Sequence, residues 1–166
     1  KKSRDASPSK IELNNLSKHF QNKRFGDAEK LAITITEKFP KHPVAWGILG
    51  AVLANTGRTS EALSATQTAV NLSPLDPAGH NNLGINLLEL GRLEESEVSL
   101  RKAIEYKPDL SDAHNALGNT LKEMKKFDDA EASYKKSIEY NSDNVFAHTN
   151  LGIMLLELNR LEEAEE

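Results

Sequence analysis

The sequence contains no cysteine. A disulfide framework and a thiolate metal site are therefore both excluded. The redox compartment stays open, because a cysteine-free chain tolerates any. Long apolar runs are missing too. The longest stretch made only of apolar residues and glycine is VAWGILGAVLA, residues 44–54, well short of the roughly 20 that a membrane-spanning helix requires. The N-terminal KKSRDASPSK carries charge but lacks the apolar stretch of a secretory signal. Lys1 stands where Met would begin a reading frame. The chain is therefore expected to be a processed or excised piece, and a cytoplasmic setting is expected with little weight from the missing signal. An excess of base is also lacking: 21 Lys and Arg stand against 25 Asp and Glu, a net charge of −4. Nucleic-acid binding usually wants a basic face, so none is expected. Glycine-rich phosphate cradles and the G-x-S-x-G nucleophile elbow are absent. With no catalytic constellation and no cofactor motif, the chain reads as a non-enzyme without cofactors.

What the chain does have is a repeat. A length of 166 residues allows one compact domain or an array of small units. The pair Leu-Gly occurs at Leu49-Gly50, Leu83-Gly84, Leu117-Gly118 and Leu151-Gly152, each step being 34 residues. Three residues before each Leu stand Trp46, His80, His114 and His148, and three after each Gly stand Leu53, Leu87, Leu121 and Leu155. Gly57-Arg58, Gly91-Arg92, Lys125-Lys126 and Asn159-Arg160 form a column of breaks. Ala28, Ala62, Ser96, Ala130 and Ala164 form a small-residue column, and Pro40, Pro74 and Pro108 another that Ser142 interrupts. Trp46, Leu49, Gly50 and Leu53 fall at i, i+3, i+4 and i+7, one face of a helix. Gly91-Arg92 ends one helix and opens the next, and a helix cannot run through Pro74 or Pro108. A glycine inside a helix costs about 1 kcal/mol. Its return at four places implies close helix–helix approach there, with Ala62 and Ala130 expected opposite.

This pattern resembles the tetratricopeptide repeat, a 34-residue helix–turn–helix unit. The resemblance covers residues 9–166 and implies an all-α solenoid of stacked antiparallel helix pairs in a right-handed superhelix. About four and a half units are expected: 9–42, 43–76, 77–110, 111–144 and a partial 145–166. The first is degenerate, with Asn15 and Leu16 where Leu-Gly is expected and His19 where a large apolar residue is. Residues 1–8 read as a flexible leader. The chain stops at LEEAEE, partway through an expected second helix, so more repeats or another domain are expected beyond it.

In this family a second stripe on each first helix lines a concave groove. Here it holds Asn14; Gly47, Ala51 and Asn55; Asn81, Asn82, Ile85 and Glu89; Asp112, Asn115, Asn119, Lys122 and Glu123; and Phe146, Asn150, Ile153 and Glu157. Asn is a poor interior helix former, so its recurrence on one face needs a reason. One reading is an amide ladder that binds the N–H and C=O of an extended peptide, similar to the asparagine ladder of O-GlcNAc-transferase-type arrays. Asn14, Asn82 and Asn150 match that ladder; Ile48 and Ala116 depart from it. The other reading is that these amides bridge adjacent first helices or face water. The candidate groove residues are Asn81, Asn82, Glu89, Asn115, Asn119, Lys122, Phe146 and Asn150.

The expected function is a protein–protein interaction scaffold that binds an extended peptide. The alternative is the substrate-recruiting region of a larger transferase whose catalytic domain lies elsewhere. Clamping of a chaperone's C-terminal carboxylate requires cations on the stripe, and only Lys10 and Lys122 are there. The acidic Glu89, Glu123 and Glu157 would rather attract a basic segment. Related 35-residue arrays read RNA, but the 34-residue spacing and the charge argue against that here. His80, His114 and His148 raise a metal site. However, helices packed about 8–10 Å apart place them poorly for zinc bonds of about 2.0–2.1 Å, and packing in the Trp46 column is expected instead. Glu94, Glu95 and Glu97 read as a solvated face. Leu151, Leu155, Leu158 and Leu161 would expose apolar surface at the last helix, so association between copies through the solenoid ends is expected.

Overall fold

A computed structural model describes residues 7–165, with 160–165 as backbone only. Most of the expected leader therefore lies outside the described residues. Its last residue, Pro8, is buried and already belongs to the packed structure. All secondary structure among the described residues is helical: α1 (Lys10–Gln21), α2 (Phe25–Lys38), α3 (Pro43–Asn55), α4 (Thr59–Leu72), α5 (Pro77–Glu89), α6 (Leu93–Tyr106), α7 (Ser111–Glu123), α8 (Phe127–Tyr140) and α9 (Val145–Glu165).

Local chemistry sets the helix ends. Ser9 and Glu12 form a reciprocal capping box on α1, with the Glu12 carboxylate accepting from the Ser9 N–H at 2.8 Å. That backbone bond, followed by one from the Ser9 hydroxyl, holds the Glu12 carboxyl below its usual range. Pro43 and Pro77 open α3 and α5, where a missing N–H costs nothing. Asp76 caps α5 by accepting from the Ala78 and Gly79 N–H groups. Within each pair the chain reverses at a left-handed residue: Lys23, Gly57, Gly91 and Lys125, with φ between 56° and 78°. Glycine adopts this freely, whereas the two lysines are strained by roughly 1–2 kcal/mol.

The fifth reversal, expected at Asn159-Arg160, does not form, and α9 continues to Glu165. Continuation adds one hydrogen bond for each residue fixed. Of the leucines expected to be bare, Leu151 and Leu158 pack partly against the core. Leu155 is 43% exposed, and the side chain of Leu161 lies outside the described residues.

Each helix packs on its successor from α1 to α9. The odd-numbered helices also touch one another in sequence, α1 to α3 and onward to α9, whereas among the described residues no two even-numbered helices meet. The odd row is therefore the closer-spaced, concave side of a helical-repeat solenoid.

The glycines show why the pairs close up. A Cβ built on Gly50, Gly84 or Gly118 would come within 2.5 Å of Thr66, Leu100 or Tyr134. Those three residues, rather than Ala62 and Ala130, fill the gap; Ala62 supplies only its carbonyl oxygen, 3.3 Å from the Gly50 position. The degenerate first pair exchanges the sizes. Leu16 stands in the glycine column and Ala32 in the column of Thr66, and both are fully buried in one cluster. Gly152 differs: nothing lies within 4 Å of its added Cβ.

The Trp/His column forms a second regular contact. Trp46 Nε1 donates to the Pro40 carbonyl at 2.9 Å. His80 and His114 bond through Nε2 to the carbonyls of Pro74 and Pro108 at 2.8 Å, and His148 to Ser142 at 2.9 Å. Each ring thus ties a first helix to the loop that delivers it. The break in the proline column at Ser142 leaves the bond intact, because the acceptor is backbone.

Gly118→Ala is expected to lower stability by about 1–3 kcal/mol through overpacking against Tyr134, outweighing a helix-propensity gain of about 1 kcal/mol. Gly152→Ala is expected to keep that gain. Urea denaturation followed by circular dichroism would separate the two.

Candidate functional site

The candidate groove residues sit on the odd helices, but the structure divides them into two groups. Toward the N-terminal end, Asn82 and Glu89 border a cavity of about 410 Å³ with Phe20, Ala51, Asn55 and Ile85. Asn55 turns back on its own helix, its Nδ2 donating to the Ala51 carbonyl at 2.8 Å. Glu89 accepts from the Thr59 hydroxyl at 3.1 Å. Asn81 is only 9% exposed, and its Oδ1 has no hydrogen-bond partner among the described residues. Such a group costs roughly 1–3 kcal/mol.

Toward the C-terminal end the amides join one another. Asn150 on α9 donates through Nδ2 to Asn119 Oδ1 at 2.9 Å and to Asn115 Oδ1 at 3.1 Å, both on α7. Asn119 Oδ1 also accepts from the Tyr134 hydroxyl at 2.8 Å. Three of the sequence-selected asparagines thus bridge neighbouring first helices. The bridging fixes which way each amide points. Asn115 and Asn119 keep their NH2 groups, and Asn150 keeps its Oδ1, without partners among the described residues. The row then offers donors on α7 and an acceptor on α9. Lys122 is half-buried near the end of α7, and Phe146 at the start of α9 is 76% exposed.

Tyr134 does not stand out in the sequence, because it belongs to a second helix. Its position opposite Gly118 carries the hydroxyl through to the concave side. Burial, followed by the nearby Glu123 and Glu157 carboxylates, pushes its pKa up to about 12. Glu123 and Glu157 hold equivalent positions, 34 residues apart, on the touching helices α7 and α9.

Charge is distributed unevenly between the two rows. Every ion pair among the described residues places its carboxylate on an even-numbered helix: Asp27, Glu29, Glu61, Glu95, Glu97, Glu131 and Glu139. The bonds to Lys126, and next to Arg101, hold the Glu97 carboxyl below its usual range. Glu89, Glu123 and Glu157 on the odd row are exposed and take no part in these pairs.

Further polar contacts are buried between helices. Asn86 Nδ2 donates to the Thr66 hydroxyl at 3.2 Å, the Ser96 and Thr120 hydroxyls meet at 3.0 Å, and Asn144 Nδ2 donates to Ser111 and Ser137 at 3.0 and 3.1 Å. His80, His114 and His148 are engaged with carbonyls, and among the described residues no three His, Asp or Glu side chains converge as metal ligands. On the even side a cavity of about 660 Å³ lies between α4 and α6, floored by Val70, His80, Leu83 and Leu87. No described helix is long and apolar enough to cross a membrane.

The Tyr134 geometry carries a pH dependence. A pKa raised from 10.0 to about 12 means that the protonated phenol favours the folded state. That stability is fully present below pH 10 and is lost as pH rises through about 12. Thermal melts across this window are expected to show the loss, and Tyr134→Phe is expected to flatten it.

Comparison with known proteins places this geometry in a family. Tetratricopeptide-repeat profiles match residues 17–80, 86–125, 111–144 and 133–166. No match is found among curated proteins. The solved structure of MamA 41-end from Desulfovibrio magneticus RS-1 is similar, with 17% identity, a TM-score of 0.77, and 94% of this chain and 88% of that one covered. The pilF protein of Pseudomonas aeruginosa gives 20% identity, a TM-score of 0.79, and coverage of 90% and 68%. The first repeat domain of Spaghetti (RPAP3), bound to the HSP90 peptide SRMEEVD, gives 17% identity, a TM-score of 0.66, and coverage of 70% and 93%. At these identities the likeness is one of fold. With the 34-residue columns and the four profile matches, the chain belongs to the tetratricopeptide repeat family.

Proposed function

We propose that the chain is a non-catalytic interaction scaffold whose concave face binds an extended segment of a partner protein. The observation that carries this reading is the cluster of three amide groups, with donors at Asn115 and Asn119 and an acceptor at Asn150. An extended backbone offers the complementary C=O and N–H groups. Asn81, Asn82, Glu89, Lys122 and Phe146 complete the proposed surface. The peptide complex of RPAP3 supports the class of activity, since that protein shares the fold. A likeness to O-GlcNAc-transferase-type arrays rests on Asn14, Asn82 and Asn150 alone, and of these Asn150 bonds to Asn115 and Asn119 of α7.

The test is affinity capture followed by mass spectrometry. It compares the chain with Asn82→Ala/Asn115→Ala/Asn150→Ala and with Phe146→Ser, which breaks no internal hydrogen bond. Partners that bind the concave face are expected to fall away with both variants at unchanged helicity. Partners retained by both would move the site to the even side.

A second surface is apolar. Leu155 is 43% and Leu156 64% exposed on α9, which favours association between copies through that helix. Light scattering over a concentration series is expected to show a growing dimer fraction that Leu155→Ser/Leu156→Ser abolishes. A strict monomer at all concentrations would overturn this reading.

A further inference from the structure

The partner's chemistry can be narrowed, on the assumption that the concave face is the binding surface. Phe146, Asn150, Ile153 and Glu157 fall at i, i+4, i+7 and i+11 and share one stripe of α9. Phe146 and Ile153 are 76% and 44% exposed, so the stripe is apolar around an amide and ends in a carboxylate. Glu123 of α7 lies at the same acidic end, since it stands 34 residues before Glu157, at the equivalent position of a helix that touches α9. Neither carboxylate is paired with a cation among the described residues, whereas the even row carries all of the ion pairs. Exposed apolar side chains beside uncompensated negative charge complement a segment that carries an apolar and a basic residue together.

We propose that the C-terminal half of the groove takes an extended, basic peptide segment. A Lys or Arg sits between Glu123 and Glu157, and an apolar side chain lies on Phe146 and Ile153. The stripe from Phe146 to Glu157 spans about 16 Å along the helix. At about 3.3 Å per residue, the apolar and basic residues of the segment stand roughly two to five positions apart, according to whether Ile153 or Phe146 takes the apolar side chain. The free Asn119 NH2 and Asn150 Oδ1 lie between them and take the main chain.

The experiment is selection of a random displayed-peptide library against the whole chain, followed by titration of the enriched peptides in synthetic form. Enrichment of Lys or Arg about two to five positions from an aliphatic or aromatic residue is expected. Glu123→Gln/Glu157→Gln is expected to weaken binding roughly three- to thirtyfold, as two exposed ion pairs would, and added salt to weaken the wild type. Enrichment without basic excess overturns the proposal. So does an unchanged Kd in the Gln variant when Phe146→Ser abolishes binding, and in that case the concave surface itself stands. Binding unchanged by either variant, or no enrichment at all, counts against both.

Discussion

The room left between two facing helices at one position per repeat governs this molecule. One partner of each facing pair must be nearly absent for the other to be large. Gly50, Gly84 and Gly118 take the small part opposite Thr66, Leu100 and Tyr134, and Leu16 and Ala32 reverse it. Interiors at near-crystalline density tolerate such an exchange because total volume is kept. The position of every other contact depends on that spacing. Tyr134 reaches Asn119 only because Gly118 lets its ring through, and the amide cluster on the concave face rests on that hydroxyl.

Much of this architecture is legible in the sequence because its signals are local. Prolines at the starts of α3 and α5, and glycine or lysine at the reversals, act on their own backbone. The degenerate first pair is visible as a departure, yet its meaning is not, since Leu16 makes sense only beside Ala32. Asn159 stands in the column of reversals but does not reverse, and α9 runs on through it. The Trp/His column reads as packing. Its common partner, a carbonyl six residues earlier, depends on the path of the loop.

The concave face is legible as a stripe but not as a network. Helical periodicity places Asn115, Asn119 and Asn150 on one side, and it does not say that one amide bridges the other two across helices. The buried polar pairs are hidden for the same reason. Ser96 stands in a column otherwise held by alanine, and Thr120 answers it from the next pair. Such matched polarity becomes readable once the packing of neighbouring repeats is known. The separation of charge between the rows is likewise a property of the assembled stack: acidic residues are frequent on both, and among the described residues the pairing arginines and lysines lie on the even helices or in the turns that open them.

The interior is not one continuous core. Leu16 to Ala65 form one cluster and Leu100 to Met154 another, with the small set of Val70, Leu83 and Leu87 between them. Those same three residues floor the cavity that separates α4 from α6. In a solenoid each joint resists deformation with its own contacts alone. The link between the Asn82 cavity at one end of the concave face and the Asn150 cluster at the other therefore runs through the small apolar set around Val70 rather than through a shared core.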